Sequence, residues 1–199
     1  MGLKKIPALS GIQSYFGSLF ANLPLTPGQI TVSAVLFAAI GFWFSIQQLP
    51  LVSLAFFALS GLMDALDGAV ARAKKMVSDR GAYIDGITDR LVEFLIIMSF
   101  FPYPLPAFFL PAQILLMLIL FFGSAMSSFA TAYADHRHVA GPKKIAAQPG
   151  ILPRAERLLL LFAALALVPF YPFASSMILF AEAALCIVTF AQRFAYFAA

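Results

Sequence analysis

The stretch LVSLAFFALSGLMDALDGAVARA, residues 51–73, has the length and composition of a membrane-spanning helix, yet it contains two aspartates. A helix of about 20 predominantly apolar residues is sufficient to cross a bilayer. A single acid at the centre of such a helix costs roughly 2.5–3.5 kcal/mol even on the lenient insertion scale. The stretch therefore predicts a transmembrane helix whose acids are stabilised by something other than lipid.

The rest of the chain has the same apolar character. Of its 199 residues, 62% are hydrophobic and 11% are charged, whereas a soluble domain has roughly 45–50% apolar and 25% charged residues. This composition excludes a water-soluble globule. The apolar runs predict an all-α, polytopic integral membrane protein with six transmembrane helices, at residues 30–46, 51–73, 82–101, 107–134, 155–168 and 173–192.

Residues 1–22 differ from these runs, because their apolar side chains are interrupted by Gly, Ser and Gln and follow two lysines. This pattern predicts an amphipathic helix that lies in the membrane interface. We expect a single membrane domain over residues 1–199, with the interfacial helix at 1–22 and the six-helix transmembrane region at 30–192.

The connections between the predicted helices differ in charge. Those at residues 47–50, 102–106 and 169–172 contain no charged side chain, and every basic residue except Arg90 lies in or beside the other connections or near the termini. The positive-inside rule then predicts that both termini and the basic loops are cytoplasmic. We interpret the net charge of +4 as orientation and attraction to membrane lipids, and we expect no nucleic-acid partner.

Four aspartates fall in the second and third predicted helices. Asp64 and Asp67 are three residues apart, and Asp85 and Asp89 are four apart, so each pair lies on one face of its own helix. The turn at residues 72–81 makes the two helices antiparallel neighbours. Counting inward from this turn places all four acids in the cytoplasmic half of the membrane.

Four facing carboxylates repel one another unless cations lie between them. Oxygen ligands suit hard divalent ions, so we expect two Mg²⁺ or Mn²⁺ ions at the acids. Such a pair of ions typically stabilises an in-line displacement at phosphorus. A proton relay or an ion site of a transporter also uses paired acids, and physical chemistry alone leaves both possibilities open.

The residues around the acids complete a longer pattern. Gly68 allows close approach of a ligand, Arg72 has the geometry to bind a pyrophosphate, and Gly81 is expected to loosen the turn. The string Asp64-x-x-Asp67-Gly68-x-x-Ala71-Arg72, eight residues, Gly81, three residues, Asp85, three residues, Asp89 resembles the complete signature of the CDP-alcohol phosphotransferase family at its eight fixed positions.

Members of that family displace CMP from a CDP-linked alcohol with the hydroxyl of a second alcohol, and they are usually homodimers. The resemblance implies metal ligands at Asp64, Asp67, Asp85 and Asp89, with Asp89 also acting as the catalytic base. It implies a CDP-binding set of Asp64, Asp67, Gly68, Ala71, Arg72, Gly81 and Asp85. A CDP-lipid is the implied donor.

Residues 25–31, LTPGQIT, resemble the Thr-Pro-Asn-x-x-Thr segment that precedes the first membrane helix in many family members, with Gly28 in place of the asparagine. We interpret Pro27 and Thr31 as residues that start the first helix.

Residues 150–157, GILPRAER, resemble a stretch of the branch that makes phosphatidylinositol phosphate or archaetidylinositol phosphate. The implied acceptor-binding residues are Arg154, Ser128 and Arg193. Thr131 stands where that branch has a lysine, and Lys143 or Lys144 could reach the same pocket. A charged helix start at the membrane interface is the alternative interpretation of the 150–157 stretch.

We therefore expect phospholipid biosynthesis, in which a phosphatidyl- or archaetidyl-type group passes from a CDP-lipid to a small phosphorylated polyol, most simply inositol phosphate. Glycerol phosphate is the nearest alternative acceptor, and an ion-coupled transporter is the alternative of a different class. Glu93 continues the face of Asp85 and Asp89, where it could pair with Arg90 or a polar neighbour or could tune Asp89. Glu182 is either a satisfied acid between helices or a dimer contact, and the sequence leaves both possibilities open.

Overall fold

The computed structural model describes residues 27–74, 76 and 78–199. The interfacial helix predicted at residues 1–22 lies outside this part of the chain. The described residues form helices, and their β-type pairing is an isolated bridge between Phe108 and Leu110. The helices are α1 (Pro27–Ile46), α2 (Pro50–Ala73), α3 (Asp79–Met98), α4 (Ala112–His136), α5 (Pro142–Ala146), α6 (Arg154–Leu167) and α7 (Pro172–Ala198).

Four of these helices are long and apolar enough to cross a membrane: Gly28–Ile46 within α1, and the whole of α2, α4 and α7. Helix α3 contains six charged side chains between Asp79 and Glu93. Helix α6 has 14 residues, and its length of about 21 Å is less than the roughly 30 Å of a hydrocarbon core. The all-helical prediction is confirmed, and length and apolarity support four crossing helices.

The helices overlap the six predicted runs, but some bounds differ. The fourth run was predicted from residue 107, and this start is wrong, because residues 107–111 are irregular and Phe109 has a φ of 56°. Helix α4 begins at Ala112, directly after Pro111. Proline suits the start of a helix, because the N–H that it lacks would have no partner within the helix.

The link between α1 and α2 is a tight turn that uses a glutamine where glycine is usual. Gln48 has a φ of 61°. Its N–H bonds to the carbonyl of Ser45 at 2.9 Å, and the N–H of Leu49 bonds to the carbonyl of Phe44 at 3.1 Å. This is the Schellman pattern of helix termination. Pro50 then starts α2, so the two helices are joined by three residues.

The chain divides into two compact units, one that ends at Pro102 and one that begins at Tyr103. In the first unit α1 packs closely against α2 at Gly41. A Cβ at residue 41 would lie 3.1 Å from the carbonyl oxygen of Ser53 and 3.2 Å from the ring of Phe57. Farther along, the hydroxyl of Ser60 donates to the carbonyl of Ala34 at 2.7 Å. Small residues and hydroxyl bonds of this kind are typical of helix contacts in membranes.

Helix α1 also contacts α3. The hydroxyl of Ser45 donates to the carbonyl of Ser99, which follows α3, and Gln48 Nε2 donates to the carbonyl of Pro102 at 2.7 Å. Helix α1 therefore holds both helices that carry the four aspartates.

In the second unit α4 contains a π-helical segment, Ile119–Met126. A Cβ at Gly123 in this segment would lie 2.7 Å from Cys186 Sγ and 3.0 Å from Arg157 Cδ. The glycine thus lets α6 and α7 side chains approach the α4 backbone. Segments of π-helix are often found at functional sites, and this one ends immediately before Ser127.

Glu182 on α7 is fully buried within the second unit. Of the two possibilities left open by the sequence, an acid stabilised between helices fits this burial. A contact with another subunit does not, because no surface of the side chain is exposed.

Candidate functional site

Three of the four predicted acids meet in the first unit. Asp64 on α2 and Asp85 and Asp89 on α3 each contribute a carboxylate oxygen, and these oxygens lie within 4.8 Å of one another. Asp85 is exposed, and Asp64 and Asp89 are half-buried. Three carboxylates at such distances repel one another unless a cation compensates their charge. We refer to Asp64, Asp85 and Asp89 as the acid cluster.

The local helix geometry explains this convergence. Asp85 and Asp89 are separated by one turn of α3, so their side chains leave the same face. The intervening Thr88 keeps its hydroxyl on the helix backbone, where it donates to the carbonyls of Ile84 and Asp85 at 3.0 Å. Asp64 reaches the cluster from α2.

The fourth acid, Asp67, is not a member of the acid cluster. Its side chain is buried, and its Oδ2 atom accepts a hydrogen bond from the hydroxyl of Thr31 on α1. The sequence interpretation gave Thr31 only the role of starting α1 and missed this contact. Distance along the helices was a usable signal: Thr31 lies about 6 Å from the start of α1, and Asp67 lies about 9 Å from the end of the antiparallel α2.

Gly68 and Arg72 form a small unit beside the acids. A Cβ at residue 68 would lie 3.3 Å from Arg72 Nη1, so the guanidinium rests over the backbone where glycine has no side chain. Arg72 is exposed, and Ala71 before it is partly buried. An exposed guanidinium next to carboxylates is suited to bind a phosphate oxygen together with a cation.

The role predicted for Gly81 needs correction. Gly81 lies inside the first turn of α3 and does not loosen the connection to α2. Its N–H donates to Ser78 Oγ at 3.1 Å, which makes Ser78 the N-cap of α3. A Cβ at residue 81 would lie 3.2 Å from the same hydroxyl oxygen. Gly81 therefore leaves room for the cap that starts the helix carrying Asp85 and Asp89.

Glu93 continues the face of Asp85 and Asp89 by another turn, but it has a different partner. Its Oε2 accepts from Arg90 Nη1 at 3.0 Å, and the Glu93 side chain is fully buried. Of the alternatives that the sequence left open for Glu93, the structure shows the pair with Arg90. A buried carboxylate requires such compensation, and Glu93 is accordingly separate from the acid cluster.

The acid cluster fits a hard divalent cation. Its three ligand atoms are carboxylate oxygens, which Mg²⁺ and Mn²⁺ prefer, and it has no sulfur or imidazole ligand that would favour zinc. The helices that carry the ligands are fixed by α1, so the cluster is formed from residues on rigid elements.

The second unit contains a surface cavity of about 310 Å³. Two predicted acceptor residues, Ser128 and Arg193, line it. The other lining residues are Thr131, Ala132, Asp135, Ile145 and Gln148. Lys143 and Lys144 do not line it, and Lys144 instead lies over the Tyr196 ring at 5.4 Å from its centre.

Main-chain carbonyls hold the Arg193 side chain in this cavity. Its Nη1 atom donates to the carbonyl of Ser127 at 2.9 Å, and its Nε atom donates to that of Pro149 at 3.3 Å. Gly150 is close by, since a Cβ there would lie 3.5 Å from Arg193 Nη2. Thr131 donates to the side-chain oxygen of Gln148. Thr131 stands where the inositol phosphate branch of the resembling family has a lysine. This chain therefore has a neutral side chain there, bonded to Gln148.

The connection that precedes α6 is attached to α7 by further bonds. The N–H of Ile151 donates to Gln192 Oε1 at 3.2 Å, and the N–H of Leu152 donates to Thr189 Oγ1 at 3.1 Å. These contacts, together with Arg193, fix residues 149–152 along one side of α7. The GILPRAER stretch therefore has a structural role next to the cavity.

The two arginines of that stretch have different surroundings. Arg154 is the first residue of α6, is half-buried and does not line the cavity. Arg157 is buried against Gly123. The alternative interpretation as an interfacial charged helix start is therefore wrong for Arg157, because its side chain lies inside the second unit.

The profile of the family described as CDP-alcohol phosphatidyltransferase matches residues 24–189. Archaetidylinositol phosphate synthase of Pyrococcus horikoshii is 32% identical over 148 residues, which cover 74% of this chain and 73% of that protein. The bifunctional IPC transferase and DIPP synthase of Thermococcus kodakarensis is 33% identical over 109 residues. That match covers 54% of this chain, and the chain spans about a quarter of that relative's length, 24%.

Solved structures of the phosphatidylinositol phosphate synthase of Mycobacterium tuberculosis share the fold. The structure with CDP-DAG bound superposes with a TM-score of 0.74 at 20% identity and covers 94% of both chains. The structure in complex with manganese and citrate has a TM-score of 0.73 at 21% identity and covers 93% of this chain and 88% of that one. With its four apolar helices and a profile match over most of its length, this integral membrane protein belongs to the CDP-alcohol phosphatidyltransferase family.

Proposed function

We propose that this protein transfers the phosphatidyl- or archaetidyl-type group of a CDP-lipid to a hydroxyl of inositol phosphate and releases CMP. The observation that carries the proposal is the convergence of three carboxylate oxygens within 4.8 Å at signature positions. The names of the Pyrococcus and Mycobacterium relatives support inositol phosphate as the acceptor.

The acid cluster and Asp67 are the residues proposed to hold two divalent ions, Mg²⁺ or Mn²⁺. The manganese complex of the Mycobacterium enzyme supports an ion of this type. Such ions, when bound, neutralise charge that develops on a diphosphate during displacement. The ligand roles follow from the donor set, because carboxylate oxygens at these distances match hard cations.

Arg72 is proposed to bind the diphosphate of the CDP-lipid from the protein side. Its guanidinium lies over Gly68, one turn from the acids. A charge-assisted bond from this group would orient the diphosphate and stabilise the leaving CMP. The small side chain of Ala71 leaves the same face open to the nucleotide.

Asp89 is proposed to accept the proton of the acceptor hydroxyl. In this reaction a new bond joins the acceptor oxygen to the phosphorus that carries the lipid. The bond between that phosphorus and the oxygen shared with CMP breaks, and CMP leaves with the electron pair. A carboxylate beside cations is a weak base, so we expect its help late in proton transfer.

The second unit is proposed to bind the acceptor. Arg193 and Ser128 line the cavity and present a guanidinium and a hydroxyl to a phosphate group. The polar side chains of Thr131, Gln148 and Asp135 line the same cavity and can bond to ring hydroxyls. Arg154 stays in the proposal as a further acceptor contact at the start of α6.

The proposed topology has six crossing helices, with α3 and α6 added to the four apolar ones, and with both termini and the acids on the cytoplasmic side. The uncharged connections at residues 47–50, 102–106 and 169–172 support this arrangement. The single cysteine, Cys186, is buried, so a C186S background allows labelling of new cysteines. We expect a cysteine at Gln48 to react from outside the cell and one at Arg137 only after permeabilisation.

The homodimer implied by the family is part of the proposal, and mass photometry tests it.

The function is tested by CMP release from a CDP-lipid in nanodiscs with Mn²⁺. The acceptors are inositol phosphate, glycerol phosphate and unphosphorylated inositol. We expect turnover with inositol phosphate. If glycerol phosphate is the only acceptor that supports turnover, it replaces inositol phosphate in the proposal. Ion uptake by sealed vesicles without any CMP release would replace the enzymatic proposal by the transporter alternative.

A further inference from the structure

The hydrogen bond between Thr31 and Asp67 joins α1 to the signature on α2. Thr31 is 8% exposed and Asp67 is 9% exposed, so both partners are largely shielded from water. Ile30, Leu66 and Val70 form an apolar cluster next to the pair. In such surroundings a hydroxyl that donates to a carboxylate restricts its rotation, because the carboxylate gains no equivalent bond from solvent if it turns away.

This bond also explains why Asp67 differs from the other three acids. Asp64, Asp85 and Asp89 converge with one another, whereas Asp67 directs its Oδ2 atom to α1. A carboxylate has two oxygens, and one of them is engaged by Thr31. The orientation of the remaining oxygen is therefore set by a residue outside the signature.

We propose that Thr31 is a positioning residue that orients the Asp67 carboxylate for the cation and CDP-lipid site. The inference rests on the proposed function, since it assigns Asp67 to that site. Mutation of a partner that orients a metal ligand typically costs about 10–100-fold in metal affinity or activity. Thr31 would act through Asp67 and would not touch the substrate.

The test compares three variants of the full chain in detergent. Thr31→Val keeps the shape of the side chain and removes the donor, and Thr31→Ser keeps the hydroxyl. The matched control is Ser60→Ala, which removes a hydroxyl bond between the same two helices, to Ala34, away from the acids. The main measurement is the Mn²⁺ dissociation constant, obtained by electron paramagnetic resonance without substrate.

We expect Thr31→Val to weaken Mn²⁺ binding by about tenfold, the lower end of the effect of losing such a partner. Thr31→Ser should restore the affinity, and Ser60→Ala should leave it unchanged. In an Asp67→Ala background the effect of Thr31→Val should disappear, because residues that act through one another are non-additive.

Unchanged Mn²⁺ affinity in Thr31→Val overturns the inference, and so does a loss that Thr31→Ser fails to restore. If Thr31→Val does not fold, Thr31→Ala provides the second donor-free variant. Failure of both to fold would overturn the inference by giving Thr31 a purely structural role. If the wild-type protein itself binds no Mn²⁺, the proposed metal site fails, and this result is distinct from the others.

Discussion

The acid cluster and the cavity around Arg193 are built in different ways. All three members of the acid cluster come from residues 64–89, on two helices that follow each other in the chain. The cavity is lined by residues 128–193, from α4, α5 with the connection that follows it, and α7. The first site depends on helical periodicity, and the second depends on contacts between distant segments.

This difference predicts different kinetic effects for variants at the two sites. Substitutions in the acid cluster should lower kcat or metal affinity with every acceptor, because each reaction uses the same diphosphate of the CDP-lipid. Changes around Arg193 should alter the KM of the acceptor and leave the KM of the CDP-lipid nearly constant. A variant in one unit that reproduces the kinetic signature of the other would contradict this division.

The largest effect is expected for Asp89→Asn. It should lower kcat by about 10²–10⁴-fold, the range for loss of a general base, and retain substantial CDP-lipid binding. CMP release at saturating Mn²⁺ and equilibrium binding of a radiolabelled CDP-lipid measure the two quantities. The control is Asp79→Asn, an exposed acid at the start of the same helix and outside the cluster.

Normal turnover by Asp89→Asn in saturating metal would remove Asp89 from the role of base. Equal losses in both variants would indicate a general effect on α3. Either outcome would contradict the specific role proposed for Asp89 in the acid cluster.

Asp64→Asn and Asp85→Asn should differ from Asp89→Asn by impairing metal-dependent CDP-lipid binding as well as turnover. Loss of an outer-shell partner already costs about 10–100-fold in metal affinity, so loss of a proposed ligand should cost at least as much. Titration of CMP release with Mn²⁺ gives the half-saturating concentration. A normal half-saturating concentration with reduced kcat would remove the variant residue from the ligand set.

The acid cluster could be predicted from the sequence because its spacing is local. Asp85 and Asp89 lie on one face whatever else the chain does, and the pattern that includes Asp64 occurs within one hairpin. The contact between Thr31 and Asp67 was missed, because a single hydroxyl on another helix has no periodic signal. Gly81 was misassigned since its neighbour Ser78 was not considered as a helix cap.

The cavity was predicted only in part, for a physical reason. Ser128 and Arg193 came from the family resemblance, and the structure places both in the cavity lining. The bonds of Arg193 to the carbonyls of Ser127 and Pro149 depend on how separate segments pack. Backbone groups are the same at every residue, so no sequence pattern identifies which carbonyls an arginine will meet.

Arg193→Lys should have an intermediate effect, confined to the acceptor. Lysine keeps the charge but lacks the planar group that bonds to the carbonyls of Ser127 and Pro149 at once. We expect the KM for inositol phosphate to rise by about tenfold, or about 1.4 kcal/mol, which is close to the lower end of the range for a hydrogen bond to a charged group. The KM for the CDP-lipid should stay constant. A matched control is Arg137→Lys, at an exposed arginine after α4.

The smallest effect is expected for Arg154→Ala, which distinguishes a direct acceptor contact from a structural charge. Arg154 is half-buried at the start of α6 and does not line the cavity, whereas Arg193 does. We therefore expect the acceptor KM to rise by less than in Arg193→Lys, with little change in the KM of the CDP-lipid. Initial rates of CMP release at varied inositol phosphate give both constants. An unchanged acceptor KM with a lower melting temperature would assign Arg154 to anchoring α6, because removal of a partly buried charge then affects only the fold.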